Sequence, residues 1–233
     1  MKRREFIAAL GGAVTIATPI TAHPQQAERV RRIGMLMNLA ADDPQSVARM
    51  TAFVQGLQEL GWTHGRNMRI EVRWAAGDAD RMHKSAAELI SLTPDIILAS
   101  SGPTVQALLQ VTRTVPIVFA QATDPVGVGF VESLARPGGN ITGLTNLSGR
   151  LGGKRLELLK EAVPKVARVA ILYDPATPAN RGELKEVQTV APELKLTVQP
   201  WELGDVDGFD KVFAGLNKER PDGLHVLGSP LLT

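Results

Sequence analysis

A chain of 233 residues, 44% of them hydrophobic, can bury one large core or two smaller ones. It has no cysteine, which rules out disulfides, thiolate metal sites and a cysteine nucleophile. The formal charge of +2 disappears once residues 1–22 are set aside, because Lys2, Arg3, Arg4 and Glu5 account for it. With balanced charge and only 4% aromatic residues, neither a basic footprint nor a row of stacking rings is left for nucleic acid or anionic lipid.

The first residues read as an export signal. Lys2, Arg3 and Arg4 precede a short apolar stretch, Ala8 to Ala17, and a small residue, Ala22, precedes the polar His23-Pro24-Gln25-Gln26. The stretch is too short and too rich in Gly and Thr to span a bilayer. Cleavage is expected after Ala22, which makes 1–22 the signal. Arg3-Arg4-Glu5-Phe6-Ile7 resembles a twin-arginine motif, and the general secretory route stays open beside it. No later segment has the length and apolarity of a transmembrane helix, so no membrane insertion is expected after cleavage.

From Arg32 onward the apolar period alternates between strand-like and helix-like. Ile33 to Met37 is a buried strand. Val47, Met50, Phe53, Leu57 and Leu60 form a helical stripe that Gly61 caps. Met68 to Trp74 alternates as a second strand, followed by a helix through Ala86, Leu89 and Ile90 that ends before Pro94. Ile96–Ala99 and Ile117–Ala120 are further strands with a helix between them from Val105. A short helix is expected from Val128 to Leu134, then a fifth strand at Asn140–Leu144. The pattern restarts near residue 146. A helix through Leu156, Leu159 and Val163 leads to a strand at Val169–Tyr173. A second through Leu184, Val187 and Val190 leads to one at Leu196–Val198. A third through Phe209 and Leu216 leads to one at Leu224–Leu227. This alternation predicts an α/β fold of two doubly wound parallel-sheet lobes, 23–145 and 146–233, each sheet covered on both faces.

Open parallel sheets bind ligands beyond the carboxyl ends of their strands. The segments found there are polar. Ser100-Ser101-Gly102-Pro103-Thr104 can cap a helix whose free N–H groups would take a carboxylate. Asp124 can accept from an ammonium or hydroxyl, or simply cap the next helix. Thr145-Asn146-Leu147-Ser148, Asp174 to Asn180 and Gly228-Ser229-Pro230 follow later strands. Taken singly each is an ordinary cap or turn; together they mark one polar end. Catalytic patterns are absent from the sequence. His23, His64, His83 and His225 have no partner at metal-ligand spacing, and no nucleophile elbow, Walker loop or dinucleotide fingerprint follows a strand. No cofactor is expected. Ser148 to Lys154, rich in glycine, reads as a flexible entry to a helix.

Several strings carry a family resemblance. They are Gly56-Leu57-Gln58-Glu59-Leu60-Gly61-Trp62 with Gly65-Arg66-Asn67, and Glu71-Val72-Arg73-Trp74-Ala75. Pro116-Ile117-Val118-Phe119 with Asp124-Pro125-Val126 is another, as are Arg136-Pro137-Gly138-Gly139-Asn140-Ile141-Thr142-Gly143 and Lys154-Arg155-Leu156-Glu157-Leu158-Leu159. From about Ile33 onward the chain resembles the type I periplasmic-binding-like substrate-binding proteins of ABC transporters, the group with tryptophan- and tyrosine-binding members. The resemblance implies a periplasmic protein with two lobes closing on a small-molecule ligand, and a membrane permease of an ABC importer as partner. Ligand contacts carried over are Ser101, Thr104, Asp124, Asn146, Ser148, Asn180 and Ser229. An amino acid with an aromatic or apolar side chain suits the anion-binding turn and Asp124, and Phe119 and Tyr173 are the rings nearest these strand ends. Members of that family continue beyond the equivalent of Thr233, so an incomplete second lobe with exposed apolar surface is expected. A sensor module of the same fold and an exported α/β enzyme are the competing readings.

Overall fold

In the computed structural model, residues 29–146 and 151–232 are described. The expected signal 1–22 and Ser148 lie outside them. Strand β1 (Arg31–Met37) leads through helix α1 (Pro44–Glu59) to β2 (Met68–Trp74), and α2 (Ala79–Ser91) leads to β3 (Ile96–Ala99). Helix α3 (Gly102–Val111), β4 (Ile117–Thr123) and β5 (Ile141–Asn146) complete a five-stranded, all-parallel sheet of order β2-β1-β3-β4-β5. A second parallel sheet follows, from α4 (Gly152–Ala162), β6 (Arg168–Tyr173), α5 (Pro178–Val190), β7 (Thr197–Glu202), α6 (Phe209–Glu219) and β8 (Gly223–Val226). Its order is β7-β6-β8.

The elements form where apolar spacing and local caps agree. Asp78 accepts from the Arg81 N–H at 2.7 Å to start α2, whose Met82, Ala86 and Leu89 then meet the sheet. They join Leu36, Ile97, Leu108, Ile117, Phe119 and Ile141 in the first core. The second core gathers Leu156 of α4, Val187 of α5, Val169 and Ile171 of β6, and Leu227. Gly152 and Gly153 are the buried start of α4, where added Cβ atoms would lie 2.9 Å from Val187 and 3.3 Å from Val190. This glycine pair is a close helix–helix contact rather than the flexible entry expected.

Two other expectations change. No helix forms at 128–134: Gly129 has φ +83°, and Asp124 Oδ1 accepts the Gly127 N–H in a series of turns. A left-handed residue there breaks the helical ladder that Val128, Val131 and Leu134 alone would need. The stripe of α1 is also only partly covered; Phe53 and Leu57 are half-buried, while Val47 and Leu60 lie on the surface. Apolar side chains are exposed at Leu144 of β5 (77%) and at Leu224 and Val226 of β8 (40% and 41%). Among the described residues no helix is long and apolar enough to cross a membrane.

Candidate functional site

The sheet orders fix where a crevice opens. The connection leaving β1 runs to β2 on one side and that leaving β3 runs to β4 on the other, so the loops after β1 and β3 diverge at their carboxyl ends. The central β6, flanked by β7 and β8, does the same in the second lobe. The two crevices share a cleft of about 370 Å³. Asn38, Ser100, Ser101 and Gln121 line it from the first lobe, Asn146 from the end of β5, and Arg155, Thr177, Gly228 and Ser229 from the second.

Its walls are braced by hydrogen bonds of their own side chains. Ser100 Oγ accepts the Asn38 N–H at 2.9 Å, tying the loop after β1 to the loop after β3. Gln121 sits at a bulge, where the β4–β5 register shifts between Ala120 and Ala122, and it has φ +61°. Bulges re-aim side chains beside sites, and a left-handed non-glycine residue stores strain there. Thr123 Oγ1 donates to Asn146 Oδ1 at 2.8 Å, holding the end of β5 against β4.

Of the residues expected to touch a ligand, Ser101, Asn146 and Ser229 line the cleft together. Thr104 is fully buried beneath it. The Ser101 N–H donates to Thr104 Oγ1 at 3.0 Å, and that hydroxyl donates to the Ser101 carbonyl at 2.8 Å. With both functions taken by the start of α3, Thr104 shapes the cap and is out of reach of the cleft. Thr104→Val is expected to cost about 1–2 kcal/mol through the lost cap, measured as a denaturant midpoint, with ligand affinity unchanged. Lost affinity at preserved stability would return Thr104 to the binding surface. Asn180 is also fully buried, bonded to the Asp174 N–H and the Gly228 carbonyl. Asp124 lines a neighbouring hollow with Gln106 and Arg181. Phe119 is core, and the Tyr173 hydroxyl donates to Glu202 at 3.1 Å, so the ring lining the cleft is Phe130 instead.

Two arginines were not anticipated. Arg49 of α1 and Arg155 of α4 both line the cleft. Arg155 Nη1 donates to Glu183 Oε1 of α5 at 3.2 Å, with side-chain exposures of 39% and 1%. Burial pushes the Glu183 carboxyl up to about 7, against the opposing pull of Arg155, and neighbouring Glu186 adds to the rise. His225 of β8, buried on the same side, is held below its ordinary value by burial and then by Arg155. Sequence spacing carried a signal for Arg155 only as part of a resemblance string. No group of His, Asp or Glu among the described residues has the arrangement of a metal site.

Two parallel α/β lobes with a ligand-sized cleft between their strand ends define a type I periplasmic-binding-like protein. Over residues 35–225 the chain matches the ABC transporter substrate binding protein model, and it belongs to that family. A tyrosine-binding protein of Clostridioides difficile (strain R20291) is 34% identical over 122 residues, covering 52% of this chain and 35% of that protein. The ABC domain in complex with L-Trp from Streptococcus pneumonia superposes with a TM-score of 0.75 at 22% identity, over 87% of this chain and 66% of that one. A conserved domain protein from Vibrio cholerae gives 0.74 at 25% identity, over 84% and 64%. The chain thus spans less than two thirds of these relatives.

Proposed function

We propose that the chain is the exported solute-binding component of an ABC importer, holding one small molecule between its lobes for delivery to a membrane permease. Residues 1–22 serve as the export signal, and 23–145 and 146–233 as the two lobes. The observation that carries the reading is the cleft itself, set at facing strand ends and lined by groups from both lobes. Ser101, Asn146 and Ser229 supply neutral hydrogen bonds, and Ser148 is proposed as a further contact. The start of α3 offers backbone N–H groups to a carboxylate, and Phe130 offers a ring face. Together with the tyrosine-binding relative, these features support a carboxylate ligand with an aromatic or apolar body, the class to which such amino acids belong. Binding without chemical transformation is the role that goes with a substrate-binding family.

The test is thermal denaturation of the purified protein against amino acids, organic acids and sugars. A specific ligand at a hundredfold its Kd stabilises the folded state by about 2.7 kcal/mol, visible as a rise of several degrees. A panel on which no compound moves the transition overturns the binding reading. Deleting the gene should then abolish uptake of the stabilising compound, and undiminished uptake would replace the importer role with a sensory one.

A further inference from the structure

We infer that the cleft selects a net-negative ligand, a small carboxylate without a compensating ammonium, gripped by Arg49 of the first lobe and Arg155 of the second. The inference rests on the cleft being the ligand site and narrows what that site accepts. Two guanidinium groups line the cleft, and among the described residues lining it there is no aspartate or glutamate. The segment Leu147 to Arg150 contains no acidic residue in its sequence either. Arg49 donates to Gln45 Oε1 at 2.8 Å and has no ion pair among the described residues. Its charge is therefore open to a ligand.

The nearby carboxylates are occupied elsewhere. Asp174 is buried with its two oxygens on the Ala176 N–H and the Thr177 hydroxyl, at 2.8 Å each. Asp124 belongs to the adjoining hollow and accepts from Gly127. Glu183 lies behind Arg155, spent on holding that guanidinium in place. An ammonium entering the cleft would face two guanidinium groups, one of them paired with Glu183, and find only neutral acceptors. A carboxylate meets the opposite situation. It also gives a reason for closure: Arg49 and Arg155 sit on different lobes, and bringing them together is favourable only with an anion between them.

Three ligands with one ring and different charges separate the possibilities: 3-(4-hydroxyphenyl)propanoate, L-tyrosine and tyramine. Titration calorimetry on the full chain should rank the propanoate first, roughly tenfold or more tighter than L-tyrosine, with tyramine not binding. Arg49→Gln should weaken the propanoate by roughly tenfold and shrink its lead over L-tyrosine. Arg49 is exposed, so a melting temperature equal to the parent's will certify that variant; Arg155→Lys tests the second arm without removing the positive charge facing Glu183. An aliphatic trio (hexanoate, norleucine and pentylamine) repeats the comparison without the ring. L-tyrosine or norleucine binding as tightly as its carboxylate analogue, or Arg49→Gln binding like the parent, overturns the charge inference and leaves the cleft reading standing. Binding that survives Gln45→Trp, which fills the cleft from its exposed wall, overturns the cleft reading instead. Failure of both trios to bind overturns both.

Discussion

The contribution of Glu183 to unfolding stability is expected to be lost as pH rises from about 4.5 to about 7, and Glu183→Gln is expected to abolish that loss. Burial penalises the ionised carboxylate more than Arg155 favours it, so the folded protein holds the Glu183 proton more tightly than the unfolded chain does. Within that window the folded state binds more protons, and linkage makes stability decrease with pH at up to about 1.4 kcal/mol per unit. Above it the full difference, on the order of 3 kcal/mol, has been lost. His225 acts in the opposite sense. Its folded value is lowered from 6.5, so its contribution is present above that value and lost as pH falls below it. The carboxyls of Asp95 and Asp222, held low chiefly by the Arg32 and Arg168 backbone N–H groups, titrate below this range. The parent should therefore fall less steeply just below 6.5, where the two groups oppose, than just above it. Glu183→Gln should leave only the His225 rise, and His225→Gln only the Glu183 fall. Urea midpoints across the range read this directly. A Glu183→Gln protein no more stable than the parent at about pH 8 would mean that Arg155 compensates the buried carboxylate fully.

The strands were legible because buried parallel strands read as short continuous apolar runs. Ile33–Met37, Ile96–Ala99 and Val169–Tyr173 coincide almost residue for residue with β1, β3 and β6. The helix expected at 128–134 failed because its apolar spacing was judged without the left-handed Gly129, whose φ is a property of the turn it terminates. At the site, Ser101, Asn146 and Ser229 were legible since each lies at or shortly past the carboxyl end of a strand, and strand ends gather by topology alone. Thr104 and Asn180 follow strands too, yet their polar atoms are consumed by backbone partners that only the folded loops bring near. Arg49 and Arg155 were not legible from position. They lie on helix surfaces 106 residues apart, and their convergence depends on how the two sheets face each other.

Asn180→Ala is expected to destabilise the protein by about 2–4 kcal/mol and to weaken ligand binding from a position that touches no ligand. The Asn180 side chain, in the first turn of α5, joins Asp174 after β6 to Gly228, which lies 48 residues beyond Asn180. Its Oδ1 accepts the Asp174 N–H and its Nδ2 donates to the Gly228 carbonyl, each at 3.0 Å. Truncation orphans both a buried donor and a buried acceptor, and each such group costs about 1–3 kcal/mol. The functional loss follows from the same geometry, since Gly228 and Ser229 form the cleft wall that the lost bond anchors. Asn180→Asp separates the two halves of the effect. The carboxylate keeps an acceptor for the Asp174 N–H but turns a second acceptor toward the Gly228 carbonyl, so at neutral pH the variant should be at least as unstable as Asn180→Ala. Protonation supplies an O–H that can donate to Gly228, and stability should recover in acid relative to the parent. Denaturant midpoints at neutral and acidic pH, paired with calorimetric affinities, give both readouts. An Asn180→Asp protein as stable as the parent at neutral pH would show that the Gly228 bond contributes nothing, and the cleft wall would then owe its position to packing alone.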